Sequence, residues 1–554
     1  MTERRSPEPF NMCGPLPRGM TLLEASAGTG KTFTIAALTT RYVAEMGKPI
    51  DRLLVITFTR MATGELRERV REHLVHAFDG LVGVLSGAQP AQEDEILWLL
   101  ADAPRAVQEE RRDRLAKAVA DFDAATIETT HGFCLQVLYG LGTAGDVDRD
   151  VTLVEDVRDL MEEVVDDLYL RKFAHRPNEH GFTHDDAVKI ARMVLQHPDA
   201  EVVPAPSDGD DLDAVRARFA AAFDKEMDRR KRALKIMTYD DILLRLRETL
   251  RDPVRGPRAR NRLRERYEVV LVDEFQDTDP VQWEIMQRAF GDPGTTLVLI
   301  GDPKQAIYAF RGADVQAYLQ AKDEVASEWT LGENWRSDKP LLEAFDALFG
   351  NAQLGQGGID YRIVRAAAAN VEPRLVGVPE TTPLRVRMVH VADGLVGRTK
   401  DGLKAADARG CIATDLAEQV VEMLSTEGEV ITRARDGTEL GRDALHAGHI
   451  AVLVRSNTHA EVVRDALHNA GVPVVIGGAG SVFVSDAARD WLRLLEAVER
   501  PAARDRAALT ALTRFVGWTA EEVALADENQ WEDLHWALHR WATLLRDQGI
   551  AALG

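Results

Sequence analysis

Two short stretches carry residues that could do phosphoryl chemistry if the fold joined them. The first is Ala25-Ser26-Ala27-Gly28-Thr29-Gly30-Lys31-Thr32. Small residues let backbone N–H groups wrap phosphates, and a helix starting at Lys31 adds its partial positive end. Lys31 is then placed to meet β- and γ-phosphates, and Thr32 to hold Mg2+. The strict pattern opens with Gly where this chain has Ala25, which is still small. The second is VVLVDEFQD, Val269 to Asp277, an apolar run ending in two adjacent acids. At the end of a strand Asp273 can reach a metal, while Glu274 polarises an attacking water. The plainer readings are a glycine turn and an acidic loop. A phosphate loop and an acid pair in one sheet outweigh both. Gln276 and Asp277 have no role from first principles.

Other stretches mix aromatic and polar groups. In TFTRMATGELRERV, Phe58 could stack on a base, and Thr57, Thr59 and Arg60 could meet phosphates. Arg67, Arg69 and Arg71 read as a solvated helix face. GDPKQAIYAFRGAD offers Gln305, Tyr308 and Phe310, the aromatics serving either stacking or ordinary packing. ENWRS sets Trp335 beside Arg336. His131 and Cys134 in THGFC lack a second ligand pair, so a metal reading fails and Cys134 reads as helix core. Seven arginines between Arg251 and Arg266 read as a solvated helix with partly compensating acids.

These residues need a scaffold of strands and helices. TLLEA, LLVITF, EVVLVDE and TLVLIGD read as buried parallel strands, with helices from Lys31 to about Met46, from Met61 and from Pro280. Residues 76–230 look helical and split the α/β pattern, which suggests one sheet domain built discontinuously. LRVRMVHV, HIAVLVRS and VPVVIGG are expected as strands of a further α/β block. After Ser485 the pattern is helical, with Trp491, Trp531, Trp536 and Trp541 at core-like spacings.

The 554 residues are too many for one core. The net charge of −22 argues against electrostatic coating of nucleic acid, though not against a local groove. No run of eighteen apolar residues appears, and the start of the chain lacks a signal-peptide core. Three distant cysteines suit a reducing, cytoplasmic setting.

In order, EASAGTGKTFTIAAL, VITFTRMATGELRERV, TTHGFC, LVDEFQDTDPVQW, IGDPKQAIYAFRGAD and ENWRS resemble the motifs of the superfamily 1 UvrD-like DNA helicases. The RecB type, from exodeoxyribonuclease V, is the nearest branch. The match runs from about residue 20 to 340, and in weaker form to about 495. The resemblance implies an ATP- and Mg2+-dependent 3′-to-5′ helicase acting on single-stranded and duplex-end DNA in double-strand-break repair. It implies RecC-like and RecD-like partner subunits. Gln305 would sense the γ-phosphate, Arg336 would reach it from a second α/β domain, and Trp335 would stack on adenine. Phe58, Tyr308 and Phe310 would line the single-strand track, with Thr130 and His131 near the DNA backbone. Thr130 stands where relatives commonly have Ile.

The implied fold is α/β with a RecA-like parallel-sheet motor domain at residues 1–75 and 231–330. A helical insertion fills 76–230, part of a second RecA-like domain fills 331–485, and a second helical insertion begins at 486–554. No Gln precedes Lys31 to read adenine, so base specificity falls to Trp335 and the backbone. The later H-x-x-K-G-L-E and V-A-x-T-R-A motifs are not found. The expectation is an N-terminal portion of a RecB-like protein without its nuclease domain. The rival is a nucleotide- and DNA-binding module with little unwinding.

Overall fold

A computed structural model describes residues 7–141, 150–173, 182–198, 200–206, 211–308, 313–350, 352–355, 357–390, 392, 394–400, 402–477 and 482–553. The chain forms two compact units. One comprises Met1–Val376, Thr381–Arg385 and Glu429–Asp443; the other comprises Gly377–Glu380, Val386–Gly428 and Ala444–Gly554.

The first unit is built on seven strands. They are β1 (Glu8–Pro9), β2 (Met20–Ala25), β3 (Leu53–Thr57), β4 (Thr126–Thr129), β7 (Val269–Val272), β8 (Thr296–Gly301) and β9 (Ser327–Leu331). A separate short parallel pair, β5 (Thr152–Leu153) with β6 (Ile236–Met237), lies within the helical region. The large sheet is parallel throughout, in the order β1-β9-β2-β8-β7-β3-β4. Its register sets Leu22 beside Leu299 and Leu54 beside Val270. β3 and β7 are buried on both faces, which explains their unbroken apolar sequence. One core lies on each face of the sheet.

Two features depart from expectation. β4, inside the stretch read as a helical insertion, joins the sheet beside β3. Residues 331–376 pack with the first unit, where a second domain was expected from 331. Long-range bonds account for this: Asn334 Nδ2 donates to the Ala27 carbonyl at 2.8 Å, and Arg362 Nε donates to Glu24 Oε1 at 2.7 Å.

In the second unit, helices Ala405–Leu424 and Asn457–Asn469 pack around Val420 and Leu467. Helices from Asp486 onward enclose Leu494, Trp531 and Leu538, with Trp491 and Trp541 at the rim of that core. Trp536 is a correction: it faces solvent under the Arg540 guanidinium. The larger correction concerns LRVRMVHV, HIAVLVRS and VPVVIGG. Among the described residues none of them forms a strand. An apolar run becomes a strand only when a neighbour supplies N–H and C=O partners. Without one, Leu453 is 97% exposed and Val475 91% exposed.

Candidate functional site

Strand order explains how distant motifs meet. The carboxyl ends of β9, β2, β8, β7, β3 and β4 lie side by side. From them emerge, in that order, residues 333–337, 25–32, 302–308, 273–277, 57–60 and 130–131. Ligands of open parallel sheets bind outside such strand ends.

The loop after β2 has the shape of an anion cradle. Ala25, Ser26 and Thr29 are buried, and Thr29 bonds the Ser26 carbonyl through its N–H at 3.2 Å and its hydroxyl at 2.7 Å. Gly28 and Gly30 are left-handed, with φ of 78° and 89°. A Cβ on Gly28 would lie 2.6 Å from the Arg336 Cβ, so residues 334–336 rest directly on the loop. No side chain caps the helix Lys31–Ala44, leaving its first N–H groups facing the loop, beside Thr32.

Lys31 Nζ contacts Glu274 Oε2 at 2.5 Å. Glu274 is one of two non-glycine residues described with positive φ, at 49°. Such a conformation costs about 1–3 kcal/mol and persists where surrounding structure enforces it. Burial, reinforced by the charge of Glu274, pushes the Asp273 carboxyl up to about 7; Lys31 opposes the rise. Burial and Glu274 likewise raise Asp277, to about 6. Two crowded, desolvated acids beside a hydroxyl-bearing loop are a donor set suited to a hard divalent cation. The Asp273 carboxyl and the Thr32 hydroxyl are groups of the kind such a cation takes.

Gln305 donates to Asp302 Oδ2 at 2.8 Å in the short turn after β8. The backbone N–H of Trp335 donates to the Gly28 carbonyl at 2.8 Å, and the residue stays 41% exposed. The Arg435 guanidinium lies 5.5 Å from the Trp335 ring and 4.9 Å from that of Phe33. Arg336 is exposed on the loop's rim and comes from the same compact unit.

Farther along the row, Phe58 and Tyr308 meet with ring centroids 5.0 Å apart. Arg60 donates to the Tyr239 hydroxyl at 3.1 Å, and His131 packs edge-on against the same ring. Burial lowers the His131 pKa, against the pull of Asp240. Thr130 opens the helix after β4, and Cys134 is buried core. Two hydroxyls read as phosphate contacts stand otherwise. Thr57 is buried beside Asp273, and Thr59 accepts from Ala62 N–H as a helix cap. Phe310 lies outside the described residues. The arginine-rich stretch is ion-paired in part: Arg251 meets Glu284, Arg255 meets Asp252 and Arg264 meets Asp292.

Sequence reasoning passed over Asn334, Asp302 and Tyr239, and gave Gln276 no role. Asn334 Oδ1 accepts from the N–H groups of Arg336 and Ser337, while its amide holds the phosphate loop.

The profile of the UvrD/REP helicase N-terminal domain family matches residues 8–326. RecBCD enzyme subunit RecB of Mycolicibacterium smegmatis is 42% identical over 98% of this chain and 48% of its own length. The Mycobacterium tuberculosis protein of that name gives the same identity and coverages. Its Escherichia coli counterpart is 27% identical over 96% of this chain and 54% of its own. The chain spans about half the length of these curated relatives.

Proposed function

This chain belongs to the UvrD/REP helicase family, and we propose that it is the ATP-driven motor region of a RecB-like DNA helicase. The observation that carries this reading is the meeting of Lys31 and Glu274 at 2.5 Å, with Asp273 alongside. A phosphate-binding lysine, a metal-binding acid and a water-orienting acid share one strand-end row.

In the proposed mechanism the backbone of residues 25–31 and the Lys31 ammonium bind the triphosphate. Thr32 and Asp273 would hold Mg2+, and the chemistry it would supply there is neutralisation of charge on the transferring phosphoryl group. Glu274 orients the attacking water and takes its proton. Gln305 and Arg336 contact the γ-phosphate, and Trp335 offers its exposed face to adenine. Phe58 and Tyr308, with Phe310, stack on bases of single-stranded DNA, a sequence-tolerant grip suited to translocation. Arg60, Thr130 and His131 border that track. The substrate is single-stranded or duplex-end DNA in double-strand-break repair. RecC-like and RecD-like subunits are the proposed partners, in the cytoplasm. No helix among the described residues is long and apolar enough to cross a membrane.

Glu274→Gln tests the chemical step. MgATP binding should persist while turnover falls by about 10²-fold or more, because the water loses its base. Undiminished turnover contradicts the role of Glu274. The unpaired apolar runs of the second unit favour a second reading for this chain, binding and hydrolysis with little strand separation. ATP turnover without displacement of a labelled strand would select it.

A further inference from the structure

Gln276 has no part in the chemistry above, yet it is buried to 2% exposure at the centre of the row. Its Nε2 donates to Glu274 Oε2 at 2.8 Å and to Asp277 Oδ2 at 3.2 Å. Its Oε1 accepts the Asp302 N–H at 2.9 Å. The opposite amide orientation would set a carbonyl against two carboxylates, so the pattern fixes the side chain. Gly301 makes room for it: a Cβ there would lie 2.7 Å from Gln276 Oε1.

The chain of bonds continues. Asp302 is 1% exposed, and its carboxylate holds Lys304 Nζ at 2.7 Å and Gln305 Nε2 at 2.8 Å. Lys304 reaches Glu24 Oε1 at 3.4 Å, and Arg362 Nε meets the same oxygen at 2.7 Å. Glu24 is buried one residue before the phosphate loop. A continuous polar path thus links Lys31, Glu274, Gln276, Asp302, Lys304 and Glu24. The segment holding Asp302 and Lys304 leads to Tyr308, whose ring lies on Phe58.

We propose that Gln276 is a positioning residue that couples Glu274 to the segment 302–308, and through Tyr308 to single-stranded DNA. The proposal rests on the functional reading given above. In the free chain Lys31 and Gln276 share one oxygen of Glu274. A triphosphate draws Lys31 to its own oxygens, and Gln276 then holds the carboxylate. Bases stacking on Tyr308 shift the segment that begins at Asp302. Its N–H carries that shift to the Gln276 carbonyl, and the other end of the same amide moves Glu274. Coupling of this kind is reciprocal, so nucleotide must alter DNA affinity.

The test is fluorescence anisotropy of fluorescein-labelled oligo-dT, with and without magnesium and the non-hydrolysable ATP analogue AMPPNP, on the full chain. AMPPNP should change the wild-type oligo-dT Kd by about tenfold, and Gln276→Ala should keep each separate affinity within about twofold while losing that change. A change of wild-type size in Gln276→Ala overturns the proposal. Should Gln276→Ala fail to bind AMPPNP, Lys304→Met probes the path from its far end: loss of the change supports coupling, and its retention overturns it. A wild-type chain that binds no oligo-dT, or binds AMPPNP equally well after Lys31→Ala, contradicts the functional reading and the coupling together.

Discussion

Burial and the charge of Glu274 together raise the Asp273 carboxyl to about 7. In the unfolded chain the same group titrates at an ordinary aspartate value. Between those values the folded state holds a proton that the unfolded state has lost. Its contribution to stability therefore falls as pH rises through that window. The Tm of the metal-free chain should drop more steeply from about pH 5 to about pH 8 in wild type than in Asp273→Asn. Parallel slopes in a thermal-shift series would refute this. Mg2+ requires the carboxylate form, so its binding should release a proton and weaken as pH falls below about 7. Thr59 teaches a different lesson at this scale. Its hydroxyl suits a phosphate as well as a helix cap, and only the fold shows Ala62 N–H taking it.

At the scale of elements, the phosphate loop is shaped as much by its neighbours as by its own sequence. Gly28 is left-handed, and residues 334–336 press on the place where a Cβ would stand. Gly28→Ala should cost roughly 1–2 kcal/mol from the left-handed backbone alone. The Arg336 contact adds to that cost, and displacement of the loop should weaken MgATP binding by about tenfold or more. Calorimetric titration reads the affinity; an unchanged Kd would mean that the loop tolerates the methyl. β2, β3, β7 and β8 were legible because a doubly buried parallel strand is written as an unbroken apolar run. So were the loop, the acids and the helix after them, since their spacing is local. The same signal misled at 384–391, 449–456 and 472–478, where no described strand lies alongside to complete a ladder. Asn334, Gln276 and Asp302 were illegible for a related reason. Asn334 bonds Ala27, 307 residues away, and Gln276 and Asp302 bond each other across 26; spacing alone does not reveal a bond between loops of adjacent strands.

At the scale of the molecule, a net charge of −22 and a role on DNA are compatible because the proposed grip is aromatic and local. The motif residues emerge along one end of one sheet, so those proposed for nucleotide and those proposed for DNA are neighbours in a single row. On the proposed roles, that arrangement would let DNA contact drive hydrolysis. ATP turnover with and without oligo-dT, in wild type and in Lys31→Ala, addresses the central claim most directly. Oligo-dT should stimulate the wild-type chain by about tenfold or more, and Lys31→Ala should remove about 10²-fold or more of the stimulated rate. MgATP bound without turnover, or turnover indifferent to oligo-dT, would contradict the account.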